Sequence, residues 1–374
     1  MKVNTVVIPS ILISCSAILV IPVVANSFEA RDGQRTVHVA NDGVDIEGCG
    51  TKTQPCRSIT QGIQNAGVGD LVLVGEGRYG DLNGNGVLGE IGEENGSGPC
   101  FCLVEINKEL KIRSEKGALR TIVDGAGTGR SVVRITASFV TFGSREGGFT
   151  VTGSTRAGVE VSTDEGVTLM GNIAESNRAG DEKGDGFLVA RGRKHLLIGN
   201  VAAGSGRGFA LFGDQLKVIG NVAVTNFAGG FEGEGSRYSL KNNAAYSNQS
   251  GFVFAGPDHL LTRNSAIGNR LFGVVVLAAQ PDAPATVRLV ISRSNIYGNN
   301  SAPDSPGPNC GLFASGAEVM ATHNYWGSTE GPGPDPADFA CSAQGEKTVT
   351  TPFSPLEFSV QPSVQLSVGS PSSN

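Results

Sequence analysis

A repeat of about 22 residues constrains this chain more than any other feature. Glycines recur in register at Gly158, Gly186, Gly208, Gly230, Gly251 and Gly273, most of them 21 or 22 residues apart. The residues that follow are Val159, Phe187, Phe209, Phe231, Phe252 and Val274. Two positions later stand Val161, Val189, Leu211, Gly233, Phe254 and Val276. Alternation with period two marks a strand whose two columns share one face. Thirteen or fourteen residues after most of the glycines comes an asparagine: Asn172, Asn200, Asn221, Asn243 and Asn264. Five further on stand Asn177, Ser205, Asn226, Asn248 and Asn269.

A fixed short period with like residues in register means that each repeat is one coil of a solenoid. The unit is too short for a four-stranded blade and lacks a leucine-rich signature. Three short strands joined by tight turns fit it. Each strand then pairs in parallel with its counterpart one coil on, about 4.8 Å away. The phenylalanines become a ladder in a dry core, and the asparagines become amide ladders at the turns, with each hydrogen bond contributing roughly 1 kcal/mol net. Glycine is 54 of 374 residues, about twice ordinary usage, as tight turns require.

The repeats, together with "HVANDGVDIEGCGTKTQPCRSITQGIQNAGVGDLVLVGEGRY", "TIVDGAGTGRSVVRI" and "HNYWGSTEGPGPDP", resemble secreted right-handed parallel β-helix repeat proteins of the pectin-lyase-like superfamily. The resemblance covers roughly residues 36–355. It implies an all-β, single-stranded, right-handed parallel β-helix whose first coil is plugged by a short helix, here about Ser58–Ala66 with Ile59 and Ile63 on one face. An N-terminal cap over about 36–70 and a closing segment over about 311–355 are expected, followed by a Ser/Pro-rich tail over 356–374. Fold does not decide activity, since this superfamily holds lyases, hydrolases, epimerases and adhesins.

The first 25 residues read as a secretion signal: Lys2, then an apolar stretch, then "VVA" ending at Ala25. It is too short and too polar for a membrane span. "LISC" would suit lipidation of Cys15, but apolar residues continue well past it. Removal of that segment leaves Cys49, Cys56, Cys100, Cys102, Cys310 and Cys341, an even set in an exported chain, which points to disulfides. Proximity favours Cys49–Cys56 and Cys310–Cys341. Cys100 and Cys102 would need a turn between them to bond. A net charge of −6 without a basic run argues against nucleic acid as a partner. The expected partner is an extracellular polysaccharide or cell-surface glycan, and the expected state is a monomer.

Chemistry is expected where the repeat falters. Glu232 and Glu234 flank Gly233 and point outward, about 7 Å apart by strand rise. That separation suits an acid and a base with water between them. It also suits a face kept soluble by charge. Phe212, one coil away, could stack on a sugar ring. Asp181, Glu182 and Asp185 of the acidic insertion Ala179–Asp185, with Arg191, could imitate the acid-held calcium and basic residue of the superfamily's lyases, although the lyase and polygalacturonase motifs themselves are missing. Other insertions span 82–99, 278–287 and 301–309. His195 and His259 lie in an apolar column three coils apart, about 14 Å, and read as core histidines. "DLNGNGVLGEIGEE" starts like a calcium loop, with Asp81, Asn83 and Asn85 in order and Gly86 at the turn. Gly92 stands where a bidentate acid belongs, so Glu90 or Glu93 would substitute. No cofactor is required, and a structural calcium ion is the one candidate. Asn95, Asn248, Asn299 and Asn300 head glycosylation triplets by letter, although Asn248 belongs to a ladder.

Two readings follow. One is a non-catalytic exported β-helix that binds carbohydrate or builds a surface. The other is a polysaccharide-active enzyme using Glu232 and Glu234, or the Asp185–Arg191 region.

Overall fold

The computed structural model describes residues 33–94, 100–179, 181–278, 288–300, 309–343 and 347–362. Contacts divide the chain into Met1–Gln34 and Arg35–Asn374, and all that follows concerns the second. The expected signal segment, residues 1–25, lies outside the described residues, as do Asn95, positions 279–287 and 301–308 of the insertions, and the tail beyond 362.

Three parallel sheets of twelve, ten and nine strands run the length of this unit. The twelve-stranded sheet begins with Thr36–Val39, the ten-stranded sheet with Cys102–Ile106 and the nine-stranded sheet with Gly77–Gly80. The coils in the middle of the unit contribute one strand to each sheet, the end coils fewer, and the chain is a parallel β-helix. The register is the one that the repeat dictates. Phe187 pairs with Phe209, Phe209 with Phe231 and Phe231 with Phe252. Their rings stack at 4.9, 4.7 and 4.9 Å between centroids, within 8° of parallel. At Gly233 the ladder leaves no room: a Cβ there would sit 2.3 Å from the Leu211 carbonyl oxygen. Tyr238 and Phe254 pack edge to face beside it, and the Tyr238 hydroxyl donates to that same carbonyl.

Both asparagine columns are buried ladders. Asn243 is representative. Its Oδ1 accepts the backbone N–H and the amide of Asn221, and its Nδ2 donates to the Val218 carbonyl and to Asn264. The first ladder continues past Asn264 to Ser294 and Asn324. The second continues past Asn269 to Asn299 and ends on the carboxylate of Asp338. Steps of 30 and 39 residues hide these members, because insertions lengthen the coils.

The expected plug is a helix over Ile59–Asn65, with Ser58 capping its N-terminus and Ile59, Gly62 and Ile63 buried. Glu94, at the far end of the 82–94 excursion, accepts the N–H groups of Ile59 and Thr60 and the Thr60 hydroxyl. It thus fastens that loop to the plug. Cys49–Cys56, Cys100–Cys102 and Cys310–Cys341 are bonded. Phe101 supplies the turn inside the second pair with φ +56°. Beyond the closing segment, Phe358 exchanges hydrogen bonds with Asn295. The tail therefore begins as a strap on the nine-stranded sheet. Among the described residues no helix is long and apolar enough to cross a membrane.

Candidate functional site

Where the ten-stranded sheet begins, the residues that lead into its strands form one corner row per coil. A cleft of about 520 Å³ opens there, lined by Arg156, Lys183, Asp185, Gly206, Arg207, Phe227, Ala228 and Glu232. It spans the strands that start near Ala157, Asp185, Phe209 and Gly229. Small residues in the row, Gly206 and Ala228, leave the hollow; the short hairpin formed by Arg178–Ala179 and Glu182–Lys183 forms one side.

Arg207 is the hub. Its Nε and Nη2 each donate to Asp185 at 2.8 Å, a two-pronged pair. Its Nη1 lies 3.6 Å from Glu232 one coil on, and its guanidinium lies 5.1 Å from the centre of the Phe212 ring. The Asp185 bonds chiefly, with the Asp185 and Glu232 charges behind them, hold Arg207 charged against the cost of burial. A second pair sits beneath. Glu160 is fully buried, and Arg156 grips both its oxygens at 2.9 and 3.2 Å. Ser131 donates to it, and Arg134 lies 3.3 Å away. Burial alone would raise the Glu160 carboxyl; the hydrogen bonds from Arg156 and Ser131, with the charges of Arg134 and Arg156, outweigh it and hold it low.

Phe227 lines the cleft, and Phe212 lies against Arg207 beside it. Phe227 is exposed, with Lys183 Nζ 4.1 Å and Arg178 5.5 Å from its ring centre. A cation over a ring face is attracted by the quadrupole, so these rings hold their cations in place. Lining cations (Arg156, Lys183, Arg207) outnumber lining carboxylates (Asp185, Glu232) by three to two, in a chain whose net charge is −6.

The structure separates the residues that the sequence grouped. Glu232 lines the cleft; Glu234, on the same strand, is exposed and does not. Phe212 covers Arg207. Asp185 faces Arg207, not Arg191. Six residues of extended strand, about 20 Å, separate Asp185 from Arg191, whose Nη2 donates to the Ser162 carbonyl. Asp181 and Glu182 are exposed. Arg207, Arg156, Lys183 and Phe227 escaped the sequence reading, although Arg207 stands one position before a register glycine, as Asp185 does, and that coincidence was the available signal.

His195 and His259 are buried. Each accepts a backbone N–H at Nδ1, from Val167 and from Tyr238, and its Nε2 faces a carbonyl, of Arg191 and of Ala255. Burial lowers both pKa values, opposed by those carbonyls. They are neutral core groups with the proton on Nε2.

In the 81–94 loop, Asp81 accepts the N–H groups of Gly84, Asn85 and Gly86. The amide nitrogens of Asn83 and Asn85 both donate to Glu90 Oε2, at 2.6 and 2.9 Å. Their oxygens accept the N–H groups of Asn85 and Val87. This arrangement surrounds a carboxylate with donors. A cation would need both amides turned over, so the set as folded does not fit calcium.

No family model matches the chain, and no curated protein matches it. Among solved structures the chain is similar to the Dettilon tailspike protein (gp208), with a TM-score of 0.51 and 17% sequence identity over 78% of this chain and 56% of that one. It thus spans a little over half of the tailspike's length. It is also similar to the pectin methylesterase PemA from Erwinia chrysanthemi (TM-score 0.34, 10% identity, 84% of this chain and 92% of that one). A rhamnogalacturonan lyase gives a TM-score of 0.37 at 9% identity, over 85% of this chain and 87% of that one. The likeness is of fold alone: the chain has a parallel β-helix.

Proposed function

We propose that this is an exported, non-catalytic β-helix that binds an extracellular or cell-surface glycan in the Arg207 cleft. One observation carries the reading. The cleft pairs the Phe227 ring with Arg156, Asp185 and Arg207, each already locked in a hydrogen-bonded ion pair, which suits holding hydroxyl-rich sugar faces and does not suit moving protons. A general acid and base must exchange protons with substrate. Asp185 is instead clamped by two guanidinium N–H groups, Glu232 stands against the same guanidinium, and Glu234 lies off the cleft. Three disulfides fit an oxidising compartment.

The test passes the purified protein over immobilised pectin, alginate and glycosaminoglycan while reducing ends and unsaturated-uronate absorbance are followed. Retention without product, weakened by Arg207→Ala, is expected. Product formation that Glu232→Gln abolishes would establish the enzymatic reading instead. Absence of both retention and product would refute glycan binding at this cleft.

A further inference from the structure

The row of residues that floors the cleft extends two coils beyond it. Cys102 pairs with Ser131, and Val133 with Val159. One position before the strands, the same register aligns Phe101, Arg130 and Arg156, then Gly184, Gly206 and Ala228. Phe101 therefore heads the row to which cleft residues Arg156, Gly206 and Ala228 belong. The guanidinium groups of Arg130 and Arg156 lie 5.9 and 6.0 Å from its ring centre.

Two features of Phe101 are costly together. Its backbone is left-handed at φ +56°, which costs a bulky residue about 1–3 kcal/mol and glycine nothing. The residue is 56% exposed, so packing does little to offset that cost. Elsewhere left-handed residues recur coil after coil as shared turns, as at Lys194, Gln215, Arg237 and Asp258. None of the residues below Phe101 in its own row is left-handed. The conformation is imposed locally. The Cys100–Cys102 bond closes around Phe101, and Arg134 Nη1 donates to the Cys100 carbonyl at 2.5 Å. Strain held by cross-links at an exposed aromatic points to use of the ring rather than to stability.

We propose that Phe101 is an outlying subsite of the glycan-binding face: an aromatic platform for a sugar ring, presented by the Cys100–Cys102 disulfide, with Arg130 and Arg156 beside it. This rests on the glycan-binding reading above. From Phe101 to Ala228 is five coil steps, about 24 Å, so the ligand is an oligosaccharide several rings long laid along the solenoid axis.

The experiment measures affinity for size-graded oligosaccharides of galacturonan, alginate and a glycosaminoglycan, from disaccharide to octasaccharide. The proteins are the wild type, Phe101→Gly and the double variant Cys100→Ser/Cys102→Ser. Wild-type affinity is expected to climb with length until the span is filled. Phe101→Gly is expected to lose about tenfold on the longest ligand, as truncation of a buried interface aromatic does, and nothing on the disaccharide. Its melting midpoint should stay level or rise, because glycine accepts this φ; a functional loss without a stability loss separates a subsite from a structural role. The double serine variant should lose as much as Phe101→Gly. Equal affinity of Phe101→Gly and wild type for the longest ligand would overturn the subsite. Full affinity of the double serine variant would overturn the role of the disulfide. If the wild type binds no ligand of any length, the glycan reading itself fails; if it binds but gains nothing with length, only the outlying subsite does.

Discussion

Arg207 organises the cleft, so its removal is the most informative perturbation. Arg207→Ala deletes two charge-assisted hydrogen bonds of 2.8 Å and leaves Asp185, whose side chain is 11% exposed, without its counter-ion. A hydrogen bond to a charged group contributes about 1.5–3 kcal/mol, and breaking a fully buried pair costs about 3–5 kcal/mol. Arg207 keeps 28% of its side chain in water, so solvent can rehydrate part of the site. We expect a destabilisation of about 2–3 kcal/mol, read from the midpoint of urea unfolding at constant slope. Asp185→Ala should cost a similar amount. The double variant should cost little more than either single one, which gives a coupling of about 1–3 kcal/mol. Arg207→Lys should recover less than half, because an ammonium reproduces the charge but neither the two-pronged geometry nor the stacking on Phe212. Additive single effects, with coupling below about 0.5 kcal/mol, would refute the claim that this pair is the hub and remove the basis for a charge-locked binding cleft.

Three further expectations concern the frame of the site. Asn243→Ala orphans the Asn221 N–H, at about 1–3 kcal/mol, and removes three more hydrogen bonds at about 1 kcal/mol each, so about 4–6 kcal/mol is expected; hydrogen exchange should accelerate at Asn221, and unchanged protection there would contradict the ladder. Burial, opposed by the Thr60 hydroxyl and the Ile59 and Thr60 N–H groups, pushes the Glu94 carboxyl up from 4.5 to about 7. A raised acid prefers its protonated form in the folded state, so its contribution is complete below about pH 4.5 and is lost as pH rises through about 7, by at most about 3 kcal/mol. Thermal melting from pH 4.5 to 8 should show this, and Glu94→Gln should flatten it; identical pH profiles would count against it. For the 81–94 loop, addition of a chelator should leave the melting midpoint unchanged, since the Glu90 network closes without a cation; a midpoint that climbs with calcium would show the amides turning to bind it.

The sequence by itself determined the coil. Columns such as Phe187, Phe209, Phe231 and Phe252 announce their own pairing, because stacking in a solenoid is translation along one axis and a translation is visible as a period. The turn ladders were legible for the same reason, the Cys49–Cys56 and Cys310–Cys341 disulfides through proximity in sequence, and the plugging helix through the family resemblance. Where insertions lengthen a coil the period breaks, and Ser294, Asn324, Asn299 and Asp338 disappeared from view. The site was legible only in part. Glu232, Asp185 and Phe212 stood out as departures from the pattern, yet which charge faces which depends on side chains crossing from one coil to the next. Arg207 reaches Asp185 on one side and Glu232 on the other, 22 and 25 positions away, and Glu94 reaches back 35 to the plug. No local signal encodes such pairs, because a long side chain chooses among several neighbours once the coils are stacked. That choice, and the left-handed backbone of Phe101 at the head of the row, belonged to the tertiary structure alone.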